Sequence, residues 1–198
     1  MPVNDLLDHE NAERILREGW ILFQKKGYRG VILDELCLIC GVTKPTLYYY
    51  FKDKENLFVE VLQWRLHGFH EVLERPGSLQ ERLEGVAASI LESFQTEYTA
   101  LLRDREHVKL PENQQRIRRA FHEEMFGPLN ALMQSGIDSG ALDGQDAHTL
   151  SLIFLGIINN FITKPAEMGL STIALAGTLT HYFLHGVQRV TPPAPTTR

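Results

Sequence analysis

The sequence predicts an all-α fold, and three observations carry that prediction. Apolar residues recur three and four positions apart through segment after segment. Capping side chains open these segments, and Gly or Pro closes them. No stretch reads as a strand, and no internal repeat is evident. With 198 residues, 43% of them hydrophobic, the chain has material for one large or two small domains around a substantial core.

The first helix is expected over residues 8–26. Ala12, Ile15, Leu16, Gly19, Leu22 and Phe23 line one face, and Lys25-Lys26-Gly27 ends it with cations and a glycine. A short second helix over residues 31–40 turns Leu33, Leu36, Cys37 and Cys40 inward. Gly41 then takes the left-handed C-cap position. The three residues Gly41-Val42-Thr43, with Val42 plugging the gap, join it to a third helix at helix-turn-helix spacing.

In that third helix Thr43 is the N-cap, and Pro45 sits in the first turn, where its missing N–H costs nothing. Leu47 and Phe51, four apart, bury together, while Lys44 and Tyr48 share another face with Tyr49 beside them. A helix of barely two turns is not stable alone, so neighbours must hold it. Its outward face offers a cation, hydroxyls and phenols to phosphates and base edges. That combination reads as a recognition helix.

Asp53 caps a fourth helix reaching about residue 74, with Leu57, Phe58, Val61, Leu62, Trp64 and Leu66 as its stripe. Lys54 in its first turn opposes the helix dipole; it is either a solvated charge or a phosphate contact. Arg75-Pro76-Gly77 breaks the chain, and Ser78 with Glu81 forms a capping box. The helix they open runs to about residue 102 along Leu79, Leu83, Val86, Ile90, Phe94, Tyr98 and Leu101. A charged connection over residues 104–110 leads to a helix that starts at Pro111 or Glu112, kinks at Gly127-Pro128 and ends at Gly140. Residues 146–163 form the most apolar helix, stopped by Lys164-Pro165, and residues 171–190 form the last. The proline-rich residues 191–198 are expected to be a disordered tail.

The last helix carries two stripes, Ile173, Ala176, Thr180, Phe183, Val187 and Val190 on one and Leu175, Leu179 and Tyr182 on the other. Two apolar sides need more partners than one protomer supplies. A four-helix dimer interface through residues 146–190 is therefore expected, with Gly177 permitting close helix approach. Closure of the protomer's own core is the alternative.

Net charge is −5. Residues 1–52 hold seven Lys/Arg and seven Asp/Glu, so the 13 and 18 of the remainder carry the whole deficit. A neutral head on an acidic body permits DNA contact through a few placed cations and discourages non-specific binding. No leader of the basic-plus-apolar kind is seen, and the longest apolar stretch, residues 150–158, falls far short of the roughly 20 residues that cross a bilayer. Two cysteines make no disulfide framework. A cytoplasmic location, away from any membrane, is expected.

Gly27-Tyr28, Asp34, Leu36, the run from Gly41 to Phe51 and Lys54-Glu55-Asn56-Leu57 resemble the N-terminal domain of TetR-family transcriptional repressors. The resemblance covers about residues 10–60. It implies a DNA-binding head over residues 1–52 and a ligand-binding and dimerisation body over residues 53–190. By the same resemblance Thr46, Tyr48, Tyr49, Tyr50 and Lys54 hold phosphates, with Thr43 at the cap and Lys44 and Pro45 nearest the base edges. Tyr50 stands where histidine is commoner, and Ile32 and Leu33 replace polar residues that often cap the second helix and touch DNA. The implied protein is a homodimeric repressor on double-stranded DNA with an inverted-repeat operator, released by a small-molecule effector.

Trp64, Phe94, Tyr98, Phe121, Met125, Phe154 and Phe161, with His67, His122 and Asn159 as polar points, read either as plain core or as the walls of a pocket for an apolar or amphipathic ligand. The resemblance favours the pocket. His181 and His185 have the i, i+4 spacing of a metal pair, but Tyr182 stands where a metalloprotease needs glutamate, and no third ligand is evident. His67 and His70 lack one equally, so no metal or cofactor is expected. Cys37 and Cys40 read as packed hydrophobes, with a thiol sensor as the sharper alternative. No phosphate-binding glycine loop and no nucleophile elbow occurs, so enzyme chemistry is unsupported. Two rival readings stay open: a helix-turn-helix regulator answering to a partner protein, and a helical metal-dependent protein.

Overall fold

The computed structural model describes residues 3–93, 104–143, 146–162 and 164–187, and every regular element among them is helical. The elements are α1 (Val3–Gly30), α2 (Leu33–Cys40), α3 (Lys44–Phe51), α4 (Lys54–Leu73), α5 (Leu79–Ser93), a 3₁₀ turn (Arg105–His107), α6 (Pro111–Phe121), a π turn (His122–Phe126), α7 (Gly127–Asp138), α8 (Ala147–Asn159), α9 (Pro165–Met168) and α10 (Thr172–Val187). Phe94, Tyr98, Leu101 and the tail from residue 191 lie outside the described residues.

The helix boundaries follow the capping chemistry. Gly27 breaks α1 at φ 68°, and Gly41 closes α2 at φ 63°. The Thr43 hydroxyl accepts the Thr46 amide, and the Asp53 carboxylate accepts that of Asn56. Ser78 and Glu81 close their reciprocal box at 2.8 and 3.2 Å. The Asp146 carboxylate takes the amides of His148 and Thr149. Ile32 precedes α2 with no side-chain cap, as its apolar character requires.

The kink expected at Gly127-Pro128 is a full π turn. Pro128 has no N–H to continue the i→i−4 ladder, and the Gly127 amide reaches back five residues to the His122 carbonyl. Only glycine fits there: a Cβ at 127 would lie 2.8 Å from the His122 oxygen.

The core runs through both halves, with α4 as the hub touching α1, α3, α5, α6 and α7. Phe58 of α4 packs edge-on to Phe23 and Tyr28, with ring centroids 5.0 and 5.2 Å apart. Gly19 lets α1 approach α4, since a Cβ there would meet Val61 at 3.1 Å. The division expected at residue 53 therefore falls before a helix whose first turns finish the head's core and whose remainder belongs to the body.

α8 packs against α7, and α10 packs chiefly along α5. Both of its stripes are largely spent inside the protomer: Leu175, Ala176, Leu179, Thr180 and Phe183 are buried. Gly177, expected at a dimer contact, faces Glu84 of α5, whose Oε1 lies 4.0 Å from a Cβ built there. Exposed on these two helices are Leu152 and Ile153 of α8 and, from the two stripes themselves, Ile173 and Tyr182 of α10. Gly156 lies on the same side of α8, with nothing within 4 Å of an added Cβ.

Candidate nucleic-acid interface and ligand cleft

α3 is held as its sequence requires. Leu47 and Phe51 are buried, at 0% and 5% exposure, and the Thr43 and Thr46 hydroxyls meet at 2.8 Å. Tyr48 and Tyr49 are exposed, Tyr49 at 77%, and the Tyr49 and Tyr50 rings pack edge to face at 5.2 Å. Pro45 is exposed beside them. The outward face thus presents Lys44, Pro45, Tyr48 and Tyr49, with Thr46 and Tyr50 half-buried at its margins.

Two cations have partners that the sequence did not announce. The Lys44 ammonium pairs with Asp34 of α2 at 2.6 Å, both side chains largely exposed. The pair cancels a carboxylate that would repel phosphate, and exposed pairs of this kind contribute only about 0–1 kcal/mol. Its ammonium is therefore cheaply exchanged for another acceptor. Lys54 donates to the Arg29 carbonyl at 3.3 Å and sits 4.9 Å over the Tyr28 ring. Desolvation by burial lowers its pKa, yet an ammonium has three donors, and two remain for a phosphate.

Cys37 and Cys40 are buried free thiols. Burial pushes both thiols up, Cys40 to about 11. Such groups are inert at neutral pH, in keeping with packing rather than sensing.

Head and body are fastened at two junctions. On α1, the Trp20 and Gln24 side chains donate to the Ser93 carbonyl at 3.1 and 2.9 Å, and the Tyr28 amide donates to Asp104 at 2.7 Å. On α4, Glu55 caps α6: its carboxylate accepts from the Lys109 and Leu110 amides at 3.0 Å and from the buried Asn113 amide at 2.9 Å. Desolvation by itself would raise the Glu55 carboxyl, but these hydrogen bonds outweigh it and hold its pKa below the ordinary 4.5. Arg116 of α6 adds bonds to Glu60 and Gln63 at 2.5 and 2.7 Å. The start of α6 is thus built onto the first turns of α4, the helix that follows α3.

The body contains a cleft of about 410 Å³ lined by Arg105, Arg118, Phe121, His122, Phe126, Asn130, His148 and Leu152. Of the residues expected at a pocket, Phe121 and His122 line it. Met125 and Phe154 are instead buried core, Phe154 packing on Phe183 at 5.0 Å. Trp64 and Phe161 are half-buried against the core, and Asn159 is half-buried with its Oδ1 enclosed and unpartnered. His67 is exposed and meets Glu124 at 3.0 Å, with His70 3.6 Å from the same oxygen. Phe94 and Tyr98 lie outside the described residues. The cleft residues absent from the sequence reading come from five separate elements, and only the row Arg118, His122, Phe126, Asn130, each four apart, is a signal that spacing could have offered.

The His181 and His185 rings lie 3.7 Å apart, tilted by 49°, on an exposed face of α10. Among the described residues no three His, Cys, Asp or Glu side chains are grouped to hold a metal, and no helix is long and apolar enough to cross a membrane.

Comparison with known proteins places these features. Residues 15–61 match the family described as bacterial regulatory proteins, tetR family. The HTH-type transcriptional regulator AcrR of Shigella flexneri is 30% identical over 93 residues, covering 44% of this chain and 43% of that protein. The chain thus aligns with less than half the length of this curated relative. Over nearly the whole chain the fold is that of AibR, solved with isovaleryl coenzyme A and operator DNA (TM-score 0.66, 19% identity, 87% of this chain and 97% of that one). It is likewise that of FadR from Bacillus subtilis, solved with stearoyl-CoA (TM-score 0.66, 19% identity, 89% and 99%). The family match lies over the helix-turn-helix and the fold likeness extends through the body: residues 15–61 are a helix-turn-helix domain of the tetR type, carried on a helical body of the same fold as these regulators.

Proposed function

We propose that the chain is a homodimeric, cytoplasmic transcriptional repressor that binds an inverted-repeat operator and leaves it when a small molecule occupies the body. The observation that carries the reading is α3: a capped helix, anchored by Leu47 and Phe51, that turns Lys44, Tyr48 and Tyr49 to solvent. In a two-fold dimer each copy of α3 enters a major groove, so both half-sites lie on one face of the duplex. Tyr48, Tyr49, Tyr50, Thr46 and Lys54 take phosphates, and Lys44 with Pro45 reaches the base edges. Exposed residues of α8 and α10, Ile153, Gly156 and Tyr182 among them, supply the dimer contact.

Release follows from the Glu55 junction. The cleft is walled by α6, and the N-terminus of α6 hangs on Glu55 in the first turn of α4. A ligand that shifts α6 draws on α4 and changes the spacing of the two heads. The coenzyme A thioesters bound by AibR and FadR support a small-molecule effector here, as does a cleft larger than the roughly 300 Å³ that ligand sites need.

The test is a titration of operator and scrambled DNA at several salt concentrations. Lys54→Ala should weaken both DNAs alike and lower the log–log salt slope by about one per subunit. Lys44→Ala should cost roughly 1–3 kcal/mol on the operator alone and relax one base pair per half-site. Equal loss on both DNAs removes the base-reading role from Lys44. No loss with either variant removes DNA binding through α3.

A further inference from the structure

The cleft's lining specifies the charge of what it binds. Arg105 and Arg118 line it and also line an adjoining compartment of about 300 Å³ with Glu106, Gln114 and Ile117, so both guanidiniums stand where the two spaces meet. Arg118 has a long 3.5 Å contact with Gln114. Among the described residues neither arginine pairs with a carboxylate, and Glu106 is the one acid on either lining. His122 and His148 add imidazoles to the same wall. Away from the arginines the wall turns apolar, with the Phe121 and Phe126 rings 6.5 Å apart and Leu152 48% exposed. Asn130 contributes an Oδ1 that is enclosed and has no donor on it, while its amide nitrogen faces His148 Nδ1 at 3.4 Å.

The π turn shows how this wall is built. In a regular helix, residues four apart drift about 40° per step, so Arg118, His122, Phe126 and Asn130 would swing through roughly 120°. The π turn over His122–Phe126 absorbs one extra residue and takes back about 100°. The row therefore stays on one side of the α6–α7 rod, facing Arg105 and α8. Gly127 and Pro128, which force the turn, are what keep cations and aromatics on a common wall.

We propose that the cleft is a site for an amphiphilic anion: a carboxylate or phosphate at Arg105 and Arg118, and an apolar segment across Phe121, Phe126 and Leu152. Guanidiniums bind such oxyanions through charge-assisted, often bidentate, hydrogen bonds. The proposal rests on the ligand-responsive reading above and narrows it to one charge class.

The test is calorimetric titration of the full chain with four probes sharing an eight-carbon tail: octanoate, octanoyl coenzyme A, octanol and octylammonium. At least one of the two anions should bind at least tenfold more tightly than the alcohol, and the ammonium should bind least. Preference between the two anions assigns the head as carboxylate or phosphate. Arg105→Gln and Arg118→Gln should each weaken the preferred anion at least tenfold and leave octanol binding unchanged. Octanol or octylammonium binding as well as the anions, or arginine variants that bind the preferred anion normally, overturns the anionic site while the ligand-responsive reading stands. Failure of all four probes to bind overturns the anionic site, and a broad screen of hydrophobic compounds that gives no thermal shift removes the ligand-responsive reading as well.

Discussion

Lys44, Tyr48 and Tyr49 stand on a single eight-residue helix, whereas Arg105, Arg118, Asn130 and His148 come from four elements and reach one cleft only by folding. The head places its chemistry by local rules: a cap, a proline in the first turn and two buried anchors four residues apart. The body places its chemistry by packing, through a π turn and the meeting of α6, α7, α8 and a 3₁₀ turn. The outward face of α3 is therefore fixed within one short helix, whereas the cleft exists only once several helices have packed. The teaching is that a reading surface can be written in consecutive residues, while a cleft selecting a ligand is assembled from distant ones.

The sharpest way to break this contrast is to remove an anchor from each side. Leu47 is fully buried, and Leu47→Ala should cost about 2–5 kcal/mol by lost transfer energy and a residual cavity. It should also release α3 and abolish operator binding. Leu152→Ala, on the half-exposed cleft wall, should stay within about 0.5 kcal/mol of wild type. Chemical denaturation of both variants checks the pair. Equal costs would mean that the cleft wall is as much a core as the head.

The junction between the two regions gives the middle-sized effect. Glu55→Ala leaves two backbone amides and the buried Asn113 amide without their acceptor, which should cost about 1–3 kcal/mol. The Glu55 pKa is lower folded than unfolded, so its contribution is complete above its ordinary 4.5 and fades as pH falls below that value. Wild type and variant should therefore converge in stability on acidification. If ligand reaches the head through this junction, the variant should bind the effector yet hold its operator in the presence of ligand. An effector that still releases the variant places the coupling at the α1 junction instead.

The smallest effect on the protomer concerns the apolar face that α8 and α10 leave open. Gly156→Arg adds a charged chain where nothing stands within 4 Å, so protomer stability should change by less than about 0.5 kcal/mol. Sedimentation should nonetheless show the dimer split, because the charge would enter a dry contact. Gly177→Arg should leave the dimer intact, since that position faces Glu84 within the protomer. The opposite pattern would move the interface to the α5 side.

Helix identity, order and most boundaries were legible in the sequence, because caps, glycines and prolines act on backbone groups within a few residues of themselves. Gly27, Gly41, Thr43, Asp53, Ser78 and Asp146 each stop or start a helix by chemistry that no distant residue needs to approve. α3 was legible for the same reason. What only the tertiary structure decided is partnership. Periodicity placed two apolar stripes on the last helix, but it could not say that packing within the protomer would bury Leu175, Ala176, Leu179, Thr180 and Phe183 and leave Ile173 and Tyr182 exposed. It could not pair Lys44 with Asp34, Glu55 with the start of α6, or Arg105 with Arg118. A side chain's face is set by its own helix, whose geometry is fixed by neighbours in sequence. What that face meets is set by how separate helices pack, and that depends on the shape of every residue between them.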